Sequence, residues 1–342
     1  MVRTVDDFKA SHDPKTIITR LESELEEARR GLGMQAALNA ALQIVGIPDR
    51  EPSPAWLAKP HTDNASPGMP VLFLSDFHWG EVVDSAQIGG VNRYNLRIAQ
   101  ERLRHTVETA IRLVGIIDPK MRYPGIAVPL GGDMISGEIH DELKATNELP
   151  TLPTVEDLCD NLEGAFGLLA DTFDSVYVPC VTGNHGRNTH KIWAKDRSRT
   201  SFDWMLYRML KRSFRSDKRI VFDIADGPDL LFKVQGRRYL LTHGDMLGKG
   251  GDGLIGFLGP VTRGNHRRRT RQSQIDQPYD SMICGHWHSY NHSQDQIVNG
   301  SLKGYDEYAF TESFKFEPPQ QALWIVHPKI GESFRMPVLC NG

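Results

Sequence analysis

The feature that most constrains this chain is a local pattern that repeats along it. In each repeat, a short apolar run is followed by a side chain that carries an oxygen or an imidazole, often with a glycine next to it. Short apolar runs of this kind predict buried strands, and α/β sheets place their functional side chains just past strand ends. We therefore expect the fragments to meet at one edge of a sheet. The pattern occurs five times, at Asp76-Phe77-His78, Gly132-Asp133, Gly183-Asn184-His185, His243-Gly244-Asp245 and Gly285-His286-Trp287-His288.

Helical and strand signals alternate through the region that contains these fragments, which predicts the α/β class. Apolar residues recur with helical spacing in three long segments, 95–117, 155–173 and 202–214. Further apolar runs after position 297 predict additional strands in the tail. The strands predicted before the tail are 71–74, 126–130, 176–181, 239–242 and 281–284.

Composition and charge describe an ordinary globular protein, with 39% hydrophobic and 24% charged residues. The formal net charge of −3 favours no class of partner. Residues 1–15 lack the apolar run of a signal peptide, and no stretch approaches the roughly 18 consecutive apolar residues of a membrane span. We therefore expect a cytoplasmic protein that does not enter a membrane. Its cysteines lie far apart and are expected to be reduced, buried thiols: Cys159, Cys180, Cys284 and Cys340.

The sequence divides into three parts. Residues 1–46 form a predicted helical segment, whose apolar stripe fits either a helix packed on the main domain or a dimer zipper. Residues 47–70 are rich in proline and predict a linker or a strap over the surface. Residues 71–342 contain all five fragments and form the predicted catalytic domain.

The order of the five fragments resembles the calcineurin-like metallophosphoesterase superfamily, whose pattern is DxH, GDxxD, GNH[DE], H and GHxH. The resemblance covers residues 71–327 and implies a four-layer α/β/β/α sandwich of two mixed sheets, with the N-terminal helical segment as an extension. The stretches 92–95 and 298–308 also look like the metallophosphoesterases of phage and prophage genomes, a narrower resemblance that implies no particular substrate.

Residue by residue, the resemblance implies two divalent metal ions and one general acid. Manganese is the metal implied first, and iron, zinc or cobalt also suit imidazole and carboxylate ligands. In the implied mechanism, a hydroxide that bridges the ions attacks phosphorus while His185 protonates the leaving oxygen. The implied ligands are Asp76, His78 and His288 for the first metal, Asp133 as the bridge, and Asn184, His243 and His286 for the second.

Charge balance agrees with that ligand set. Two divalent ions bring about +4 and the two aspartates about −2, so a surplus near +2 remains for a phosphate oxygen and a hydroxide. Asn184 adds a ligand oxygen without cancelling this surplus.

Two positions depart from the superfamily pattern. Ser136 stands where an aspartate usually orients the catalytic histidine, and Gly186 stands where an acidic residue usually follows the asparagine and histidine. Glu138 is a candidate replacement for the missing aspartate, although a solvated loop glutamate explains it equally well. Arg187 follows the catalytic histidine closely, where its guanidinium either binds a substrate phosphate or forms a structural ion pair.

The substrate is indicated mainly by a basic insertion between His243 and Gly285, which we interpret as a loop. Further basic residues in 211–219 and the aromatics Trp287 and Tyr290, as candidates for base stacking, point the same way. Its arginines, above all Arg267, Arg268 and Arg269, favour a phosphodiesterase or nuclease that acts on DNA or RNA, although basic runs are commonly solvated surfaces. A phosphomonoesterase acting on a protein or a small metabolite is the alternative. A non-catalytic scaffold is a third reading, against which the retained ligands and His185 argue.

Overall fold

The computed structural model describes residues 54–58, 68–248 and 256–341. The predicted N-terminal helical segment 1–46, most of the predicted linker 47–70 and most of the glycine-rich stretch 248–253 lie outside the described residues. Where the predicted linker is described, it contains the short helix α1, Ala55–Ala58. Leu57 of this helix is buried in the core of the domain, and its carbonyl accepts a hydrogen bond from the amide of Gln235 at 3.1 Å.

The strands of the described residues form two mixed sheets. The first sheet has the order β11-β10-β1-β2-β3-β4, and its strands β1 to β4 run parallel. The second sheet has the order β5-β6-β7-β9-β8, in which β6, β7 and β9 run parallel. The bounds are β1 Met69–Phe73, β2 Ile126–Ala127, β3 Val176–Cys180, β4 Ile220–Ile224, β5 Asp229–Val234, β6 Arg237–Thr242, β7 Ser281–Cys284, β8 Asn291–His292, β9 Gln296–Val298, β10 Gln320–His327 and β11 Gly331–Leu339.

The two sheets pack face to face through a shared core of aromatic and aliphatic side chains. Tyr177 of the first sheet lies 6.2 Å from Phe232 of the second, centroid to centroid, and Trp324 lies 6.1 Å from Tyr239 in the same way. Burial of such large apolar side chains between the sheets is the main stabilising contribution expected of a sandwich.

Helices cover both outer faces and complete four layers. Three long helices lie against the first sheet, and their bounds are α2 Leu96–Ile117, α4 Thr151–Phe173 and α5 Phe202–Ser213. Helix α6, Leu258–Gln274, places Val261 against Leu240 and Met282 of the second sheet. The predicted α/β/β/α sandwich of two mixed sheets is therefore confirmed. Two shorter helices are α3 Asp141–Thr146 and α7 Glu307–Thr311.

The basic insertion differs from its sequence interpretation, because its arginines lie on helix α6 and not on a loop. The buried face of α6 includes the polar residues Asn265, Arg268 and Gln272, which hide the apolar periodicity that normally reveals a helix. All four cysteines are free and buried, as predicted. Among the residues that the structure describes, no helix combines the length and the apolar composition that a membrane span requires.

Candidate metal centre

The five sequence fragments lie together at the carboxyl ends of parallel strands from both sheets. The loop after β1 runs beside the loop after β2, because Asp76 N donates to Gly132 O at 3.0 Å and His78 N donates to Asp133 O at 3.1 Å. The fragments at 183–185, 243–245 and 285–288 follow β3, β6 and β7. Chain topology therefore brings together side chains that are more than 200 positions apart, as the sequence predicts.

Three side chains form a first ligand cluster, with their ligand atoms all within 4.8 Å of one another: Asp76, His78 and His288. The Nε2 atoms of His78 and His288 are 3.0 Å apart, and Asp76 Oδ1 lies 3.5 Å from His288 Nε2. Asp76 and His78 are fully buried, whereas His288 is partly exposed. We call this cluster subsite 1.

A second cluster, subsite 2, contains Asp133, His243 and His286 with the same spacing of ligand atoms. His243 Nε2 lies 3.0 Å from Asp133 Oδ2 and 3.1 Å from Asn184 Oδ1, so the predicted amide ligand joins the cluster. The two subsites adjoin, because the amide of His286 donates to Asp76 Oδ1 at 2.8 Å.

The donor atoms fit two divalent ions. Two imidazole nitrogens that bind one ion at about 2.0–2.1 Å and a right angle lie about 3 Å apart, and the Nε2 atoms of His78 and His288 have this separation, 3.0 Å. The orientation of His243 also fits, since its Nδ1 donates to Gly131 O at 2.8 Å, so loss of the proton on Nε2 would leave a lone pair there for a ligand bond. Imidazole, carboxylate and amide oxygen suit manganese, iron, zinc or cobalt.

The backbone at the centre is held in an uncommon conformation. Five of the seven predicted ligands have a positive φ: Asp76 (54°), His78 (47°), Asp133 (51°), His286 (71°) and His288 (49°). Aspartate and histidine tolerate this left-handed region better than most residues, but it still costs about 1–2 kcal/mol per residue. Such strain clusters at functional sites, where the surrounding structure imposes it.

Two glycines allow the ligand loops to approach one another closely. A Cβ atom on Gly183 would collide with the carboxylate of Asp133, and a Cβ atom on Gly285 would collide with the carboxylate of Asp76. Each glycine therefore leaves the space that a ligand carboxylate occupies, which is the reason a glycine precedes Asn184 and His286.

Burial and neighbouring charges set the protonation of the ligands. Burial lowers the pKa of His78 well below its ordinary value and lowers the pKa of His286 to about 4, so both imidazoles are neutral near pH 7. Burial opposes ionisation of Asp133, but His243 and His185 hold the pKa of Asp133 well below its usual range. Burial likewise opposes a charged His243, yet the Asp133 carboxylate raises the pKa of His243 to about 10. Binding of a cation must therefore displace a proton from His243.

The predicted general acid, His185, lies against subsite 1. Its ring is 4.6 Å from the ring of His78, centroid to centroid, and its Nδ1 is 3.0 Å from Ser136 O. A carbonyl oxygen only accepts hydrogen bonds, so Nδ1 carries the proton and Nε2 is the remaining ring nitrogen. The backbone carbonyl of Ser136, the position that departs from the superfamily pattern, therefore orients the His185 ring. Glu138, the candidate replacement, lies elsewhere: its Oε1 accepts hydrogen bonds from Thr151 Oγ1 at 2.7 Å and Thr151 N at 3.2 Å.

The second departure, Gly186, lies beside a carboxylate that the sequence analysis did not identify. A Cβ atom at position 186 would be 2.8 Å from Asp203 Oδ1, so Asp203 occupies the space of a side chain there. Asp203 is buried and accepts hydrogen bonds from three backbone amides, those of Asp133 (3.0 Å), Met134 (3.2 Å) and Gly183 (2.8 Å). Burial and the Asp133 charge raise the pKa of Asp203 to about 6. Its sequence context, two residues after a helix-capping serine, resembles an ordinary helix start.

A buried charged network lies behind subsite 1 and was also missed. Glu81 Oε2 is 3.4 Å from His78 Nδ1, and Glu81 Oε1 accepts a hydrogen bond from Lys303 Nζ at 2.7 Å. Lys303 also pairs with Asp306 at 2.5 Å. Glu81 thus places a negative charge beside the second nitrogen of His78 without a hydrogen bond to it, and such a charge favours a cation on the opposite nitrogen. The two stretches of the narrower resemblance meet here, since Asn92 Nδ2 donates to Lys303 O at 3.0 Å.

The predicted substrate-binding arginines have structural partners. Arg187 Nη1 donates to Asn184 O at 2.7 Å and Arg187 Nε donates to Thr189 O at 3.1 Å, so this arginine braces the loop of a predicted ligand. On helix α6, Arg267 donates to Leu247 O, Arg268 pairs with Asp229 at 3.4 Å, and Arg269 donates to Asp280 O at 2.7 Å. The structure thus brings Arg187 to the centre and engages the three helix arginines in contacts within the domain.

Comparison with known proteins gives distant structural similarity only. No family model matches the sequence, and no curated protein matches it. A dimetal phosphatase from Danio rerio is similar in structure with a TM-score of 0.39 and 10% identity, over 81% of this chain and 100% of that one. A Thermus thermophilus sulfate thiohydrolase, SoxB, in complex with glycerol has a TM-score of 0.32 and 8% identity, over 82% of this chain and 57% of the other. Both similarities are too distant to assign a function to this chain.

Proposed function

We propose that this chain is a dinuclear-metal-dependent phosphoester hydrolase. The observation that carries the proposal is the convergence of two adjoining Asp/His clusters, subsites 1 and 2, at the carboxyl ends of parallel strands. Two divalent ions at such a centre would generate a nucleophile from water near neutral pH and neutralise the developing charge on the phosphate oxygens. Manganese as the metal and the cytoplasm as the location stay predictions from the sequence.

The residues of the chain supply the remaining parts of the reaction. Asp76, His78 and His288 would hold one ion, Asn184, His243 and His286 would hold the other, and Asp133 would contribute its carboxylate to both. His185 lies beside subsite 1 and its Nδ1–H donates to Ser136 O, so the proton for the leaving oxygen would come from Nε2 of the imidazolium form and leave the ring neutral. Burial lowers the pKa of His185, and a phosphate anion bound beside the ring opposes this shift by favouring the imidazolium.

The finer proposal is a preference for phosphodiesters, and hence a phosphodiesterase or nuclease. Its support is the segment beside subsite 2 in which Trp193 is 53% exposed between the exposed Lys191 and Lys195. Such a surface fits a diester within a longer chain better than an isolated monoester. A phosphomonoesterase would use the same centre, and it would hydrolyse p-nitrophenyl phosphate in preference to bis-p-nitrophenyl phosphate.

The test is hydrolysis of these two esters by protein supplied with Mn²⁺, with and without EDTA. We expect hydrolysis that EDTA abolishes, faster for the diester than for the monoester. His185→Ala should lower kcat about 10²–10⁴-fold, the usual contribution of a general acid, while the bound-metal content stays that of the wild type. Hydrolysis that continues undiminished in excess EDTA would overturn the proposed function.

A further inference from the structure

We propose that residues 187–201, here called the rim loop, bind single-stranded nucleic acid beside the metal centre. In this proposal Trp193 stacks on an unpaired base, and Lys191 and Lys195 contact the neighbouring phosphates. The inference rests on the proposed function, because it names the substrate class of the same centre and replaces the arginines of helix α6 as the contact surface.

The base of the rim loop is fixed to the ligand loops of both sheets. Arg187 pairs with Ser201 in an antiparallel bridge, and Asn188 N donates to Thr200 O at 2.9 Å, which closes the base. Near the C-terminal end of the rim loop, Arg197 Nη2 lies 2.9 Å from both carboxylate oxygens of Asp245. Asp245 is two residues after the predicted ligand His243. The rim loop therefore stands next to subsite 2.

The tip of the rim loop presents an apolar surface to solvent. Residues 190–196 are all exposed, including Trp193 at 53% and Ile192 at 43%. Met246, next to the Asp245 anchor, is 56% exposed. Trp193 is five positions after Asn188 in the closed base, so the chain allows at most about 18 Å between their Cα atoms. Exposed apolar surface this close to a candidate catalytic centre is a feature of ligand-binding surfaces.

Charge identifies the kind of ligand. Residues 187–199 contain five Lys and Arg residues and one Asp. Arg197 and Arg199 are paired with carboxylates, whereas the exposed Lys191 and Lys195 flank Trp193 on either side. Cations that follow a phosphate backbone, interleaved with an aromatic ring for base stacking, are the usual composition of single-strand binding surfaces. The exposed aromatics at 308–316 contrast with this, since Glu307, Glu312 and Glu317 accompany them and would repel a polyanion.

The exposed indole selects single strands over duplexes. Stacking on Trp193 requires the free face of a base, and the faces of paired bases are covered by their neighbours within a duplex. Base–aromatic stacking is tolerant of sequence because every base has a π-face, so we expect little sequence preference.

The experiment measures binding of a short fluorescein-labelled single-stranded oligodeoxynucleotide by fluorescence anisotropy, with the full chain in EDTA so that metal-dependent cleavage is absent. We expect Trp193→Ala to weaken binding about tenfold or more and Trp193→Phe to restore most of it. Replacing both Lys191 and Lys195 with alanine should reduce the dependence of log Kd on log salt by about 1.4, the value for two phosphate contacts on a single strand. Phe334→Ala is the matched control, because Phe334 is also an aromatic residue with 53% exposure but lies on β11.

Three results would overturn the proposal: wild-type affinity in Trp193→Ala, an equal loss in Phe334→Ala, or equally tight binding of a duplex of the same sequence. Hydrolysis of bis-p-nitrophenyl phosphate by the wild type with Mn²⁺ tests the proposed function separately, since that ester is a small molecule and carries no chain of phosphates. Hydrolysis without Trp193-dependent binding refutes the rim loop alone, and Trp193-dependent binding without hydrolysis refutes the proposed function.

Discussion

The two subsites of the candidate metal centre use similar ligands but are supported in different ways. Subsite 1 is backed by buried charged side chains, with Glu81 beside His78 and Lys303 between Glu81 and Asp306. Subsite 2 is supported through the main chain, because the Asp203 carboxylate accepts hydrogen bonds from backbone amides of the loops that carry Asp133 and Asn184. The comparison separates two ways of orienting a ligand, one through the charge of neighbouring side chains and the other through the backbone position of the loop.

This difference predicts different sensitivities. A network of buried charges is strongly destabilised when one partner is removed, because the other is left unpaired. A carboxylate that accepts three backbone amides instead holds two loops in register, so its loss should displace every ligand that those loops carry. Substitutions of the supporting residues should therefore act on one subsite at a time.

The largest effect is expected from Asp133→Asn, which removes the carboxylate ligand of subsite 2. Asp133 lies 3.0 Å from His243 Nε2 and accepts a hydrogen bond from His185 N at 2.7 Å. Loss of a supporting partner costs about 10–100-fold in metal affinity, and loss of the ligand itself should exceed the upper figure. Mn²⁺ titration calorimetry measures the change, with the exposed Asp141→Asn as control. Unchanged binding of two ions by the variant would show that Asp133 is not a metal ligand.

Asp203→Asn should lower the affinity of subsite 2 for its ion by a factor near the upper end of the 10–100-fold range. Asparagine can keep one oxygen for the amides of Asp133 and Gly183, which share Asp203 Oδ2. Its NH₂ then faces the amide of Met134, which donates to Asp203 Oδ1, so the loop that carries Asp133 should be displaced. The same titration, with melting temperature as a check of folding, resolves the subsites as two binding steps. Equal weakening of both steps would contradict the separate support of the two subsites.

Acid should destabilise the network behind subsite 1. Burial opposes ionisation of Asp306, but Lys303 lowers the pKa of Asp306 to about 2, from 3.8. The ionised form therefore contributes about 2 kcal/mol to the free energy of unfolding above about pH 4, and this contribution is lost as the pH falls toward 2. Urea unfolding of metal-free protein between pH 5 and pH 2, compared with Asp306→Asn, isolates the contribution. Parallel pH curves for the two proteins would refute it.

The smallest effect is expected from Glu81→Gln, which should lower the affinity of subsite 1 for its ion about tenfold. Glutamine keeps an oxygen for Lys303 but removes the negative charge that faces His78 Nδ1 at 3.4 Å. Subsite 2 should keep its affinity in the calorimetric titration, because no Glu81 contact to it is found among the described residues. A loss at subsite 2 of equal size would show that one network supports both subsites.

The sequence predicted those parts of the centre that depend on local pattern. Asp76, Asp133 and Asn184 follow apolar runs that form buried strands, and parallel strands bring their carboxyl ends to one edge. The four layers were predicted through the superfamily resemblance and are confirmed. The role of the converging side chains as metal ligands stays a prediction, although the structure places them at ligand distances from one another.

The supporting residues could not be predicted, because their contacts join distant positions without a local signal. Asp203 reaches the amide of Asp133 across 70 positions, and Lys303 reaches Glu81 across 222. Helix α6 was missed as a helix because Asn265 and Arg268 occupy its buried face, so a basic loop was the natural interpretation. The prediction that Arg267, Arg268 and Arg269 bind the substrate stays untested, because a helix can also present basic side chains.

The positive φ angles at the ligand positions have a consequence for how this protein would change under selection for robustness. Glycine adopts such angles at no steric cost and asparagine at little. At Asp76, Asp133 and His288, the replacements that would most relax the chain are therefore those that discard a carboxylate or an imidazole. A lineage freed from the need to bind metal should gain glycine or asparagine at these positions early, and its thermal tolerance should rise as its chemistry disappears.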